Sequence, residues 1–405
     1  MKKILNSFLR IAFKGVILSY TIVTLILVSG LDLDDYKYTI EPKYDMIYPF
    51  VNGLARVELD GSFGYINGNQ EIIKVQYEDA SYFSNGLSPV KKDTYYGFIN
   101  NKNQTVVPFE YDYAQAFHER GLAVVSKNNK YGLIDTKGRL ELPLEYESIV
   151  IGQTCIIYEQ DNRFGFMIDE VVYPALYNHM SVFSSGLAVV SINDKYGYIN
   201  TENELVIDYK YDEAYDFQGD CAKIKMGETY GVMDLSGDLL LDTIYDDIEI
   251  FEDYIGVKVG YKWGYMTKDG RVLIEPTYDE INEFEKGMAR VEINKKQGFI
   301  DENNNYIIEP IYRQMTSFSQ GYSTVKVNIY YGFVDKNGEY IIEPYFDNAS
   351  KFYDNNRAIV KHKKWGLIKR NYRFYYYLTA LAPTILLLSL YYSVLVFKKR
   401  KNLIK

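Results

Sequence analysis

Apolar and polar residues alternate in short bursts through most of the chain, and the bursts repeat. Residues 183–211 show one cycle. Leu187 to Ile192 is an apolar run behind a glycine, Asn193-Asp194 interrupts it, residues 196–200 form a second run, residues 201–204 are polar, and residues 205–210 form a third. Runs of this length, rich in Val, Ile and Tyr and broken by Gly, Asn and Asp, predict β-strands joined by hairpin turns. The region has no helical periodicity sustained over ten residues. Each cycle is therefore expected to be a three-stranded antiparallel meander.

Two segments break the pattern. Residues 15–31 are a run of 17 without a charge, and residues 374–397 are a run of 24. A membrane-spanning helix needs about 20 apolar residues, so the second run is long enough and the first is at the lower limit. The second has aromatic ends (Phe374, Tyr375, Tyr376, Tyr377 and Phe397), which suit a membrane interface. It contains Pro383, which such helices tolerate. The first reads either as an uncleaved signal anchor, the preferred reading, or as a signal peptide cleaved near Val28-Ser29-Gly30. The expected organisation is a basic start with an apolar segment over 1–35, a β-repeat array over 36–372, a transmembrane helix over 374–397 and a basic tail over 398–405.

The array is marked by a glycine at Gly64, Gly97, Gly132, Gly165, Gly197, Gly231, Gly264, Gly298, Gly332 and Gly366, at spacings of 32 to 35 residues. The residue before it is aromatic in nine of the ten units, including Trp263 and Trp365, with Gln297 the exception. Two positions after it stands Ile, Met or Val. Eleven positions before it, nine of ten units carry Gly, Asp or Asn, which predicts a tight turn with a left-handed residue. A Phe usually lies three residues earlier still, as at Phe83, Phe217 and Phe352. An aromatic–acidic pair follows the anchor, as in Tyr77-Glu78, Tyr211-Asp212 and Tyr278-Asp279, and Tyr44-Asp45 starts that series. A period near 34 residues is the signature of a repeat architecture. No single unit has enough apolar surface for its own core, so the aromatic and Ile/Met slots must pack against neighbouring units.

Lys262-Trp263-Gly264-Tyr265-Met266, residues 284–291 (Phe-Glu-Lys-Gly-Met-Ala-Arg-Val) and residues 274–279 (Ile-Glu-Pro-Thr-Tyr-Asp) resemble the bacterial WG-repeat, or KWG-repeat, proteins. The resemblance covers roughly residues 40 to 369, although Trp-Gly itself survives only at Trp263-Gly264 and Trp365-Gly366. Unit four departs most, because Ile151-Gly152-Gln153-Thr154-Cys155 lacks the Gly-Leu-Ala turn. That family is defined by its repeat, so the resemblance implies an architecture and no particular activity. The expected fold is all-β: tandem three-stranded repeats in an open superhelical array, flanked by two transmembrane helices. A closed, propeller-like ring is the runner-up, because propeller blades usually take four strands and 40 or more residues. Short tethers bear on the choice. If both apolar segments stay in the membrane, the array must lie along it, coil, or close into a ring.

Composition sharpens this picture. With 42 Tyr and 21 Phe against 2 Trp, the chain is rich in residues that favour pleated, half-buried surfaces. Net charge is −9, but nine positive charges lie outside the apolar segments (Lys2, Lys3, Arg10, Lys14, Lys398, Lys399, Arg400, Lys401 and Lys405), which leaves −18 on the rest. An acidic body argues against nucleic acid as a partner. Basic residues outside both apolar runs predict cytoplasmic termini and an extracytoplasmic array in an integral cell-membrane protein. Six basic residues between Lys361 and Arg373 compete with that assignment.

Candidate chemistry is sparse. Only His118, His179 and His362 occur, in unrelated slots, and phosphate-binding or nucleophile motifs do not appear. Neither a metal nor another cofactor is expected. Cys155 and Cys221 occupy one slot two units apart, too far for a disulfide, and are expected to be free and packed. The aromatic–acidic ladder is expected to cap turns rather than bind calcium, which needs denser carboxylates. The aromatics before the anchor are expected in the core, which leaves Tyr95 and Tyr330 as better candidates for ligand contact. The expected function is a non-enzymatic surface module for an envelope polymer or protein. The alternative is a scaffold that positions another membrane protein.

Overall fold

Hairpin turns set the strand boundaries. Asp60-Gly61, Asn128-Asn129, Asn193-Asp194 and Asn294-Lys295 all hold positive φ at both positions, the geometry of the tight turn that matches strand twist. Around the third of these, Leu187–Ile192 pairs with Lys195–Asn200, and the latter with Leu205–Tyr211. These are the three strands expected from sequence. The computed structural model describes residues 36–169, 171–353 and 356–370. The apolar segments 15–31 and 374–397, and the basic start and tail, lie outside the described residues. Among the described residues no helix is long and apolar enough to cross a membrane.

Each unit has four strands, not three. We call them A to D and number the blades one to ten. Blade five is His179–Met180, Leu187–Ile192, Lys195–Asn200 and Leu205–Tyr211, hydrogen-bonded in that order. Strand A is only two residues long in six blades, such as Asp79–Ala80 and Glu213–Ala214. So short a strand leaves no alternating signature. It also explains how four strands fit a unit of about 34 residues, when that length had favoured the open array.

Ten four-stranded sheets follow one another, and the tenth overturns the open superhelix. Its strands A to C are Asn348–Tyr353, Arg357–His362 and Lys364–Arg370, while its fourth is Tyr36–Tyr44, from the start of the array. The array is thus a closed, propeller-like ring of ten blades, of which Tyr38–Ile368 form one compact unit. Closure covers the apolar blade face that an open array would leave at each end.

The cores lie between blades. Tyr198, Ile207 and Tyr211 of blade five cluster with Phe217, Ala222, Ile224 and Met233 of blade six. Ile40, Tyr44 and Leu367 of blade ten cluster with Ile47, Val57 and Ile66 of blade one. A ring after the anchor glycine meets a Phe of the next blade at a steep angle, which aromatic pairs prefer. Tyr65–Phe83, Phe98–Phe117, Tyr198–Phe217, Tyr265–Phe284 and Phe333–Phe352 have centroids 4.7 to 5.2 Å apart. The Ile/Met/Val slot is buried in all ten blades.

One smaller expectation needs correction. The slot eleven before the anchor holds positive φ at Gly53, Gly86, Gly121, Gly186, Gly287 and Gly321, but in blade six Gly219 takes that role instead of Asp220, and Asp253 stays out of that region. Thr154, in the departing turn of blade four, also stays out of it. There the Gly152 amide donates to the Cys155 carbonyl at 2.8 Å, and Arg120 of blade three donates to the carbonyls of both residues at 3.2 Å. The aromatic before the anchor packs against the cores, as expected: Phe63, Tyr96, Tyr131, Phe164, Tyr196, Tyr230 and Trp365 are half-buried against them and Trp263 is buried within one. This aromatic faces a cross-strand basic side chain, as in Lys258 over Trp263 and Lys326 over Tyr331, an arrangement that keeps the cation in solvent.

Candidate functional site

The repeat anchors are structural. Opposite the anchor in blades one to nine, strand D carries two extra residues. Tyr96 pairs with Tyr111 and Phe98 with Val107, so three residues of D face Gly97 alone. This bulge presses the D backbone onto the glycine. A Cβ on Gly64, Gly97, Gly264, Gly298 or Gly332 would lie 2.4 to 2.7 Å from a strand-D carbonyl oxygen. Gly132, Gly165, Gly197 and Gly231 are as crowded, and Gly366 meets Ile40 O across the closure. The glycine is required by this close approach, not by its own φ.

The aromatic–acidic ladder is also consumed by the fold. Tyr77, Tyr177 and Tyr278 each donate a hydroxyl hydrogen bond of 2.6 Å to an Asn side chain in the C–D turn of the next blade (Asn103, Asn203 and Asn304). Burial pushes the Tyr177 hydroxyl up to about 12. The acidic partner caps the next blade's B–C hairpin. Asp212 accepts from the Gly227 amide at 2.7 Å, and Asp279 from Asn294 at 2.6 Å. Each also pairs with a lysine two residues before the preceding blade's anchor, Lys195 at 2.6 Å and Lys262 at 2.5 Å. Asp45 does the same across the closure, with Lys364 and the Asp60 amide. Lysine first and backbone amides second hold these carboxyls below their ordinary range.

The remaining polar residues make local contacts. The Arg120 amide donates to His118 Nδ1 at 3.3 Å, the His179 ring lies 5.8 Å from that of Tyr196, and His362 stacks on Tyr345 at 4.8 Å. Cys155 and Cys221 are free and buried in separate cores, and burial pushes both thiols up. Among the described residues no group of three or more His, Cys, Asp or Glu could hold a metal. Tyr95 and Tyr330 are exposed at the start of strand C in blades two and nine, and nothing brings them together.

A different set of tyrosines lines a groove of about 390 Å³ across blades one to three, with Arg56, Asp79, Tyr82, Tyr96, Tyr113 and Gln115 in its walls. The Arg56 guanidinium lies 3.7 Å from the Tyr48 ring centre and 3.9 Å from Asp79. Asp79 accepts the Tyr96 hydroxyl at 2.5 Å. Burial, then this carboxylate, push the Tyr96 hydroxyl well up, so it remains a donor at neutral pH. Gln115 donates to the Tyr113 hydroxyl at 3.1 Å, and the Tyr96, Tyr113 and Tyr131 rings follow one another at 6.4 and 6.2 Å. Tyr82 and Tyr113 are 51% and 39% exposed. The groove offers flat apolar faces beside fixed donors and acceptors, which orient a bound group.

The WG containing repeat family model matches ten successive segments: residues 37–62, 63–94, 96–131, 131–150, 169–196, 196–230, 230–263, 263–296, 298–328 and 331–364. The chain is a WG-repeat protein. No curated protein matches it in sequence. Similar solved structures include a eukaryotic initiation factor (11% identity, TM-score 0.48, 76% of this chain and 96% of that one). Hsv2 of Kluyveromyces lactis is another (11%, TM-score 0.32, 53% and 94%). A third is the extracellular domain of a one-component-system protein from B. thetaiotaomicron (9%, TM-score 0.27, 80% and 64%). Likenesses this distant carry no functional argument.

Within this WG-repeat ring, residues 151–168 fall between matched segments, where the departing turn of blade four lies. The groove residues were missed in the sequence because Tyr82 and Tyr113 occupy positions on and just after strand A that differ from blade to blade. Tyrosines outside every repeat slot were the available signal.

Proposed function

We propose that this WG-repeat ring is a membrane-anchored, non-enzymatic interaction module, displayed outside the cell, that binds an extended envelope polymer or an envelope protein. The groove across blades one to three carries the reading. Its exposed Tyr82 and Tyr113 rings beside the Arg56–Asp79 pair suit ring faces and hydroxyls of a polymer better than they suit catalysis, which needs a nucleophile or an acid–base pair in contact. The charge-free runs at residues 15–31 and 374–397, with basic residues outside both, support the anchoring and its sense.

The test uses the full chain in detergent or nanodiscs with isolated envelope fractions. Tyr113→Ala with Tyr82→Ala is expected to lower retention by envelope material, while the Tyr95→Ala control leaves it unchanged. Wild-type retention by no fraction, with one membrane protein co-purifying instead, turns the reading to a scaffold. Protease cleavage of the ring in intact cells is expected, and protection until lysis overturns the assignment to the outside.

A further inference from the structure

We propose that the rim of the ring formed by the C–D turns rests on the lipid surface, and this rests on the anchoring proposed above. The first observation is a repeated exposure. In blades three to eight, strand D opens with an exposed aliphatic side chain: Leu140, Val172, Leu205, Leu239, Val272 and Ile307, at 37 to 59% exposure. Each lies within the first two residues of its strand, level with the C–D turn, and further along the strand the residue paired with the position after the anchor glycine turns inward, as Ile207 and Leu241 do. Single exposed aliphatics are ordinary on a protein surface. The same register position, opposite the Ile/Met slot of strand C, is left exposed and aliphatic in blades three to seven and carries the exposed Tyr306 in blade eight, which makes a continuous belt, the kind of patch that marks a contact surface.

The second observation is where the chain leaves the ring. In blade ten strand C ends at Arg370 and strand D begins at Tyr36. Both ends therefore depart where every other blade has its C–D turn, at the rim that carries the belt. The apolar runs begin at Phe374 and end at Leu31. Four and five residue steps of extended chain reach about 14 and 18 Å at most. With those runs in a bilayer, blade ten's part of the rim stays within about 14 Å of the hydrocarbon core, of which the headgroup layer takes about 5–7 Å. The C–D turns carry both signs of charge, for example Lys137 and Lys268 against Glu202 and Asp238, so the contact depends on apolar area rather than on anionic lipid.

The full chain is reconstituted in phosphatidylcholine bilayers carrying spin-labelled lipid, with a fluorophore on Leu205→Cys. The same label on Tyr261→Cys is the control, since Tyr261 is 91% exposed beside the B–C turn at the other end of strand C. The two native thiols are buried. The label at position 205 is expected to be quenched several-fold more strongly than the label at 261. Equal quenching, with the chain still held after an alkaline wash, overturns the rim contact and leaves the anchoring standing. A 205 label shielded from aqueous iodide yet untouched by the lipid quencher also overturns it, because a protein then covers the belt. Loss of the chain from the bilayer on washing removes the anchoring and the rim contact together. Val172→Cys in blade four serves if Leu205→Cys does not fold.

Discussion

At Gly264 an added methyl group would lie 2.4 Å from the Ile274 carbonyl oxygen and 2.7 Å from the Pro276 nitrogen, both backbone atoms that cannot turn aside. Gly264→Ala is expected to cost at least about 1–3 kcal/mol, the range for forced overpacking, read as a shift in denaturant midpoint. Gly287 has φ +76° and open space around its Cβ position, so Gly287→Ala should cost only about 1–2 kcal/mol, the left-handed penalty. The order of these two variants separates crowding from φ as the reason for the anchor. The ladder carboxylates give a pH prediction. Asp45, Asp212 and Asp279 have depressed folded pKa values. Their stabilisation is therefore complete above about pH 4 and fades as pH falls through the lower folded value. The triple Asp→Asn variant should melt earlier than wild type at neutral pH, and the gap should close in acid. The anchor positions were legible in the sequence, but the cause was not, because a bulge on a strand ten residues away leaves no mark beside the glycine.

Where the residue after the anchor is Tyr65, Tyr198 or Tyr265, the stabilising unit across the blade boundary is a ring pair with a hydroxyl tie beside it. Phe217 sits 5.2 Å from Tyr198, whose hydroxyl donates to the Tyr215 carbonyl at 2.8 Å. Phe217→Ala should cost about 3–5 kcal/mol, as for other buried aromatics cut to alanine. Hydrogen exchange should rise first in blades five and six, since each unit's core is shared with its neighbours. Strands B, C and D could be placed from sequence because six or seven residues show alternation and each ends in a turn pair such as Asn193-Asp194. Strand A could not. His179–Met180 and Glu213–Ala214 are two residues each, held by pairing to strand B and by packing on the preceding blade rather than by any pattern of their own. The groove shares that blind spot, since Tyr82 and Tyr113 sit at strand A, where successive blades differ most.

For the molecule as a whole, the closing strand Tyr36–Tyr44 uses devices found at other boundaries: Asp45 bonded to Lys364, Tyr44 donating to Glu71 at 2.9 Å, and Gly366 pressed by Ile40. Deleting residues 36–44 is expected to strip blade ten of its fourth strand, expose the edge of strand C and drive association through that edge, seen as larger species on size-exclusion chromatography. Closure was hard to read from sequence because the tenth blade's fourth strand precedes the first anchor and belongs to no complete repeat. The same feature sets an order in time. The Thr39 hydroxyl reaches the Leu367 carbonyl across 328 residues of chain. At about 5–20 residues per second of synthesis, the first strand waits on the order of 15–65 s for a partner that has not yet been made. Throughout that wait the nascent chain carries an unpaired, Tyr-rich strand at one end and nine growing blades behind it. Closure is thus the last step in building the ring, and its earliest strand is the one most in need of protection during biogenesis.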